Sequence, residues 1–471
     1  MQERYERTHT AEQIRRQFDS LEETEARVAG RITGARAMGK ALFLDLEDAS
    51  GSVQLYVRKD QVGDATYDVV RDLLDPGDIV GANGVVFRTR TGEISLRTTE
   101  LVVLSKSIRP LPFGKRAKDG RTWYDLSDQE QRYRQRYADL AVHPEVRAVF
   151  TKRSALVRTI RSYLDSEGFL EVETPMMGSL AGGAAARPFT THHNALNLEL
   201  YLRVSPELYL KRLIVGGFEK VYEINRNFRN EGISTRHNPE FTMMELYEAY
   251  TDLEGMMDLT ERLITHVADS VNGASSFSYS GNVICLDRPW KRIPMLEAIE
   301  SLSGITADRL GRFGEARSAA EAAGVDVTQD TSVGGVINKL FERFVEPTLI
   351  QPTFITDYPV DISPLAKRRS DNADLTRRFE VFIGGQEIGN AFSELNDPME
   401  QRERFDAQTI RGAEGDDEAH PMDEDYLLAM EYGMPPTGGL GIGIDRLAML
   451  LTNSTSIRDV ILFPLLRPGQ P

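Results

Sequence analysis

The sequence predicts an α+β protein of two unequal parts: a small N-terminal β-barrel and a larger, mostly antiparallel sheet flanked by helices. Three observations predict it. The first hundred residues alternate apolar and polar side chains in short runs. From about residue 130 long amphipathic helices enter. The later strands are joined by hairpin-like links, without the βαβ spacing of a parallel sheet.

Taken in order, residues 9–25 read as a short polar helix. Val28–Ile32 is strand-like, and Ala41–Leu46 places Leu42, Leu44 and Leu46 on one face. An Asp48-Ala-Ser-Gly51 turn leads to Val53–Val57, again alternating. A helix-like stretch at 62–74 ends at Pro76-Gly77. Ile79–Phe87 and Ile94–Leu104 follow as strands around the Arg90-Thr-Gly turn. Five short strands with one helix near the middle suit a Greek-key barrel of the OB type, expected over residues 1–108. Arg109-Pro-Leu-Pro112 opens a linker expected over 109–140. Beyond it, over 141–471, helices are expected at 144–167, 206–216, 251–271 and 333–347. Strands are expected at 199–205, 219–228, 238–248, 353–356, 377–383 and 387–395. The region 251–345 reads as a helical insertion, with ordinary apolar faces at Leu340, Phe341 and Phe344.

Composition limits the function. The 471 residues carry 56 Lys+Arg against 72 Asp+Glu, a net charge of −16. That balance disfavours indiscriminate binding to nucleic acid or anionic membrane. It is not evenly spread: residues 1–150 hold 24 basic and 24 acidic residues. Within them Arg88–Arg121 has nine basic residues against Glu93, Glu100 and Asp119, which suits either a solvated face or a local polyanion contact. The single cysteine, Cys285, excludes an intramolecular disulfide framework. The N-terminus lacks the apolar core of a signal peptide. The longest apolar runs, such as Val460–Leu466, fall well short of the ~18 residues of a membrane span. A cytoplasmic protein is expected.

Four stretches carry chemistry. In a strand, alternate residues share a face. Asn227, Arg229 and Glu231 are expected on one strand face, and Phe241, Met243, Glu245 and Tyr247 on the next. The loop between them, Gly232–Pro239, is too polar for a core. An arginine there can clamp phosphate or carboxylate, and Phe241 can stack on a flat base. Arg236 and His237 can reach distal phosphates. Read alone, the hairpin also fits an ion-paired surface element. Asn390, Phe392 and Glu394 form a second alternation. Upstream, Glu380 and Glu387 flank a Gly384-Gly385 turn and suit Mg²⁺, which favours one or two carboxylates plus substrate phosphates. The third stretch, Gly438-Gly-Leu-Gly-Ile-Gly-Ile-Asp-Arg446, leads glycines into a helix. It lacks the βαβ setting of a dinucleotide site, and no P-loop occurs. Its glycines are read as allowing close approach to a nucleotide, or close strand–helix packing. The fourth, Gly168–Pro175, reads as a helix cap and an edge or interface strand.

Together these stretches resemble class II aminoacyl-tRNA synthetases. Phe169-Leu-Glu-Val-Glu-Thr-Pro175 is similar to motif 1, which builds that family's dimer interface. Phe228-Arg-Asn-Glu231 is similar to motif 2, and Gly441-Ile-Gly-Ile-Asp-Arg446 to motif 3. The class I signatures H-x-G-H and K-M-S-K-S do not occur. Ala181–Pro188, Asn225–Ser234, His237–Tyr247 and Glu387–Asn396 narrow the resemblance to the bacterial lysyl-tRNA synthetases of subclass IIb.

The resemblance implies a homodimeric ligase that joins lysine to tRNA(Lys) with ATP and Mg²⁺. It implies that Arg229 contacts the α-phosphate and the amino-acid carboxylate, and that Glu231 and Arg446 complete the catalytic set. Phe241 stacks on adenine, while His237 and Arg446 hold the distal phosphates. Glu380 and Glu387 hold Mg²⁺. Gly183 and Glu207 take the α-amino group. Glu245, Tyr247, Asn390, Phe392 and Glu394 surround the side chain, and their charge independently suits a cation. On the barrel, Phe43 and Gln54 match anticodon-reading positions; a stacked aromatic and an amide suit single-stranded RNA. A paralogue that lysylates protein would lack the barrel. A catalytically dead RNA-binding relative would have a broken motif 2 or 3, whereas Arg229, Glu231 and Arg446 are in place. His192 and His193, being adjacent, cannot both face one metal in regular structure, and zinc is not expected. Asp416-Asp-Glu reads as a solvated acidic loop, and Cys285 as inert.

Overall fold

The computed structural model describes residues 3–116, 122–180, 182–184, 186–413 and 421–468. Ala181, Ala185, Lys118, Asp119, Arg121 and the Asp416–Glu418 loop lie outside the described residues. The chain folds as two compact units, Met1–Pro144 and Glu145–Pro471.

In the first unit, strands β1 (Glu25–Met38), β2 (Ala41–Asp48), β3 (Gly51–Arg58), β4 (Ile79–Arg88) and β5 (Ile94–Ser105) form a closed barrel in the order β1-β2-β3-β5-β4. The β3–β5 pair is parallel, and helices Lys59–Val62 and Asp64–Leu73 carry the chain from β3 to β4. Alternation does what the pattern predicts. Leu42, Leu44 and Leu46 point inward with Val53, Leu55 and Val57, all buried in one core. The helix expected over 9–25 is shorter and split, into Ala11–Arg16 and Phe18–Leu21. A Thr10–Gln13 capping box starts it, and Ala11, Ile14 and Phe18 are buried. It ends because Glu23 adopts a left-handed conformation (φ 59°) and Glu25 already opens β1. After the barrel come a hairpin, Phe113–Arg116 with Thr122–Asp125, and helices Gln129–Arg134 and Arg136–Val142. Asp139, paired within the second helix to buried Arg136 (2.6 Å), also ties that helix to the first through Arg132 (2.7 Å).

The second unit is built on an eight-stranded sheet. Its strands are β6 (Leu170–Glu171), β7 (Lys220–Phe228), β8 (Glu240–Ala249), β9 (Lys291–Pro294), β10 (Thr353–Thr356), β11 (Arg378–Phe382), β12 (Glu387–Ser393) and β13 (Thr437–Gly443). Their order is β9-β10-β11-β12-β13-β8-β7-β6. Only the outermost pairs, β9–β10 and β7–β6, are parallel. The helices that matter below are α1 (Pro144–Ser166), α2 (Glu207–Val215), α3 (Leu253–Asn272), α4 (Glu424–Glu431) and α5 (Ile444–Thr452).

One face of this sheet is core. Met244 and Leu246 of β8, Leu440 and Ile442 of β13, and Phe379 and Val381 of β11 pack with side chains of α1, α3 and α5. Each such fully buried side chain contributes about 1.5–3 kcal/mol. The alternate residues of the same strands face the other way, and they carry the chemistry. The stretch 251–345, expected as a helical insertion, divides. Its first helix, α3, lies in the main core, and β9 joins the sheet edge. Helices Met295–Ser303, Phe313–Ala322 and Val333–Phe344 share a second core. No helix among the described residues is long and apolar enough to cross a membrane.

Candidate active site

Two adjoining cavities open on the free face of the sheet, of about 110 and 290 Å³, and both are lined by Arg229, Met243, Glu387, Asn390 and Gly441.

The first is a cleft that also takes in Glu231, Arg236, His237, Phe241 and Arg446. The expected shared strand face of Asn227, Arg229 and Glu231 is corrected here. Strand β7 ends at Phe228, Asn227 is buried, and Arg229 and Glu231 belong to the loop beyond. Two backbone bonds steer that loop: Arg229 N–H donates to Pro239 O (2.9 Å) and Asn230 N–H to Arg187 O (2.8 Å). Arg229 lies over the Phe241 ring, 5.1 Å from its centroid, and its buried Nε has no hydrogen-bond partner. Glu231 is exposed at the rim. Arg236 is tied to Glu346 at 3.1 Å.

Arg446, in the first turn of α5, donates to the backbone oxygen (2.9 Å) and carboxylate (3.0 Å) of Glu387. It also reaches His237 Nε2 at 3.3 Å, so that nitrogen accepts, and Nδ1 faces Ser234 Oγ at 3.1 Å. Desolvation in the cleft, and then the Arg446 charge, hold the His237 pKa below its usual value. Asp445 beside it is structural: it accepts from Thr242 N–H (2.7 Å) and pairs with Arg153 (2.7 Å).

Glu380 and Glu387 lie on β11 and β12 and face the second cavity together. A register shift between β11 and β12 makes this possible. Val381 pairs with Gly389 and Phe382 with Glu387, leaving Ile388 as an extra residue that turns into the core. The bulge resets the alternation, so Glu387 and Asn390 share a face despite their odd spacing. Burial and the Glu387 charge raise the Glu380 pKa to about 7, although Arg378 (2.7 Å) and the Tyr358 hydroxyl (2.9 Å) support its carboxylate. Burial raises Glu387 too, but Arg446 outweighs it and the net direction is down. Two like charges facing one cavity fit a divalent cation shared with phosphate oxygens.

The second cavity is walled by acid: Glu207 on α2 and Glu245 on β8 line it and are buried, and Glu394, just beyond β12, lies buried behind Gly439 of its wall. Glu245 accepts from Ser205 Oγ (2.8 Å) and from the Tyr247 hydroxyl (3.2 Å). Its pKa is nevertheless pushed up to about 7, by burial and then by the Glu207 charge. Burial also raises Glu394 well above the carboxylate range. Neither of its oxygens has a hydrogen-bond partner, although one lies against the Lys211 ammonium. Asn390 accepts from Arg378 Nε at 3.0 Å, and Phe392 closes the side of the pocket.

Glycines shape this space. Gly183 is left-handed (φ 97°), and a Cβ there would press on Ser205 and Glu207 at 3.2–3.3 Å. At Gly439 a Cβ would collide with a Glu394 oxygen and come within 2.6 Å of the Tyr247 ring. For the glycine-rich strand both readings, close approach to a nucleotide and close packing, are open from the sequence. Gly441 and Gly443 do line the cleft, but Gly439 makes room for protein side chains, and Gly438 for Met256 and Thr251 of the packing below.

Residue reasoning missed three members: Lys211, Arg378 and Ser205. Lys211 had a signal, a cation four residues after Glu207 on the apolar face of α2. Arg378 and Ser205 had none. His192 and His193 are exposed on a short strand, and among the described residues no three His, Cys, Asp or Glu converge on a metal. Cys285 is partly exposed.

On the barrel, Phe43 lies on the outer face, opposite in phase to Leu42 and Leu44. It stacks with Tyr56 (5.0 Å), which stacks with Phe87 (5.7 Å), and Arg97 covers Phe87 at 5.0 Å. Gln54 is on the same face, where its carbonyl accepts from Ser95 Oγ at 3.1 Å and its amide N–H groups remain for a ligand.

Comparison with known proteins agrees with both units. The model of tRNA synthetases class II (D, K and N) matches residues 128–467, and that of the OB-fold nucleic acid binding domain matches residues 26–104. The chain belongs to the class II tRNA synthetases. Within that family it is similar to lysine–tRNA ligases. That of Carboxydothermus hydrogenoformans is 58% identical over 465 residues, covering 99% of this chain and 93% of that protein. Those of Pelotomaculum thermopropionicum (58% over 469 residues; 99% and 91% covered) and Moorella thermoacetica (56% over 466 residues; 99% and 94% covered) are comparable.

Proposed function

We propose that this chain is a lysine–tRNA ligase, which activates lysine with ATP and transfers it to the 3′-hydroxyl of tRNA(Lys). The observation that carries this reading is one guanidinium, Arg229, lining both an aromatic, arginine-walled cleft and a pocket walled by the buried carboxyls of Glu207 and Glu245, with Glu394 buried behind it. Adenine would stack on Phe241, and the distal phosphates would meet His237 and Arg446. The lysine α-amino group would meet Gly183 and Glu207. Its side chain would pass between Tyr247 and Phe392, past Asn390, to Glu245 and Glu394.

Arg229 can then bond both the lysine carboxylate and the α-phosphate. A carboxylate oxygen attacks the α-phosphorus, the bond from that phosphorus to the oxygen bridging the α- and β-phosphates breaks, and pyrophosphate leaves. The tRNA hydroxyl next attacks the activated carbonyl carbon, and AMP leaves. Side chains do no covalent chemistry; they position the reactants and neutralise charge. Glu231 at the rim and Arg446 complete the catalytic set. Glu380 and Glu387 would hold Mg²⁺, which supplies charge neutralisation on the phosphates.

The barrel, with Phe43 and Gln54, would read the anticodon. Residues 1–108 would then serve as the anticodon-binding domain, 109–140 as linker and 141–471 as catalytic domain. Exposed Leu170 on edge strand β6 favours a homodimer built on that edge. A cytoplasmic setting suits a tRNA substrate. The test is an amino-acid panel in ATP–pyrophosphate exchange, followed by charging of total tRNA. Lysine alone should support strong exchange and charging, and no lysine-dependent exchange would refute the proposal.

A further inference from the structure

The amino-acid pocket contains a cation of its own. Lys211 on α2 is fully buried. Its ammonium is 2.5 Å from Glu207 Oε1, touches a Glu394 carboxylate oxygen, and lies 5.9 and 5.4 Å from the ring centroids of Tyr247 and Phe392. A lysine in a protein interior is costly unless paired, and this one is paired on two sides by residues that reach it from different elements. It thus shares the carboxylates and both rings assigned above to the substrate.

We infer that Lys211 is a built-in counter-ion of the amino-acid pocket, a positioning residue whose charge offsets part of the cost of burying Glu207 and Glu394 and makes the pocket match a diammonium ligand. The inference rests on the lysine-pocket reading of the previous subsection. Formal charge shows the match. Counting the groups assigned to the lysine ammonium groups, and setting apart Glu380, Glu387 and Arg378 on the Mg²⁺ side of the cavity, Glu207, Glu245 and Glu394 bring three formal negative charges and Lys211 one positive. The two that remain equal the α- and ε-ammonium groups of lysine, while its carboxylate is met separately by Arg229.

The other charged and titratable groups around Lys211 are otherwise engaged. On its own helix, Arg212 turns to Asp423 (2.9 Å) and Asp425 (3.0 Å). Arg378 of β11 is bound to Glu380, Asn390 and Ser363. Tyr247 of β8 donates to Glu245, and Tyr426 of α4 is a buried phenol whose pKa burial raises. No second cation among the described residues pairs with Glu207 or Glu394. Burial raises Glu207, Glu245 and Glu394 alike, and the Lys211 ammonium is the strongest opposing influence at Glu207 and Glu394.

Removing an opposite charge from beside a buried carboxylate raises its pKa by about 1–3 units. The test is therefore the pH dependence of the lysine KM in ATP–pyrophosphate exchange between pH 6 and 9.5. For the unaltered protein the KM should fall as pH rises and the carboxyls paired with Lys211, which burial raises, ionise. In Lys211→Met the midpoint should move up by at least about one unit. The KM at pH 7 should rise about tenfold or more and recover toward pH 9, with the ATP KM unmoved. Lys211→Gln, which keeps hydrogen-bonding capacity without charge, should behave as Lys211→Met. The double variant Lys211→Met/Glu207→Gln removes one charge of each sign, so the net formal charge of the pocket is that of the unaltered protein. Its midpoint should return to within about half a unit of the unaltered protein, with a KM offset that is the same at every pH.

A Lys211→Met or Lys211→Gln midpoint equal to that of the unaltered protein, or a displaced midpoint in the double variant, would overturn the inference. Glu394→Gln separates the two levels. If it leaves the lysine KM unchanged, the pocket reading itself is wrong. If it raises the KM while Lys211→Met does not move the midpoint, only the counter-ion role fails.

Discussion

The cleft and the amino-acid pocket share one wall, yet the cleft presents arginines and an exposed histidine while the pocket presents buried carboxylates. In the cleft, Arg446 and Arg236 have protein carboxylates beside them, at Glu387 and Glu346. A phosphate chain arriving there meets several donors, so loss of one is partly covered by the rest. In the pocket, two carboxyls, Glu207 and Glu394, share a single ammonium and Glu245 has none, and burial works against their ionisation. The first arrangement spreads affinity over many contacts. The second concentrates selectivity in a few, and makes it depend on pH.

That contrast can be broken at several points. The largest effect should come from the group both cavities share. Arg229→Ala should lower lysine-dependent exchange by about 10²–10³-fold, as for loss of a transition-state donor. A smaller loss would mean that the cavities do not meet at this side chain. Next come the carboxylates. Glu245→Gln and Glu394→Gln should each raise the lysine KM about 10–100-fold, the range of a charge-assisted bond of ~1.5–3 kcal/mol. The ATP KM should stay near its starting value. Equal changes in both would erase the distinction between the cavities.

Acidification should resemble these variants. A carboxyl raised to about 7 is neutral below that pH. Lysine affinity should therefore weaken as pH falls through 7, while the stability of the lysine-free protein gains from this group at low pH and loses that gain as pH rises through 7. Thermal melts of the lysine-free protein, compared with exchange kinetics across pH 6–8, check both signs.

Phe241→Ala should raise the ATP KM about tenfold, from the loss of one stacked base, and leave the lysine KM alone. The smallest effect on exchange belongs to the barrel. Phe43→Ala should leave exchange unchanged and raise the tRNA KM in charging about 5–10-fold. Equal losses in both assays would make Phe43 structural.

The legible parts of the site were those where a strand keeps its phase. Glu245 and Tyr247 fall where alternation puts them, because β8 runs unbroken between β7 and β13. Alternation also separates Phe43 from Leu42 and Leu44, though it was not carried on to Tyr56 and Phe87 on the same outer face. Phase fails where the chain departs from a ladder. Strand β7 stops before Arg229, and the β11–β12 bulge re-aims Glu387. Nothing local in the sequence marks either event, since both depend on partners far along the chain. Lys211 escaped for another reason. On a helix, a Glu–Lys pair four apart is ordinarily a solvated surface pair, and only the packed helix shows that this one faces inward.

The central claim is that buried acid selects a cationic side chain. The most direct test is exchange driven by norleucine, which matches lysine in length but lacks the ε-ammonium. The account predicts that its kcat/KM falls at least about 100-fold below that of lysine at pH 8, since both charge-assisted bonds at ~1.5–3 kcal/mol each are lost. Norleucine activated within a few-fold of lysine would contradict it.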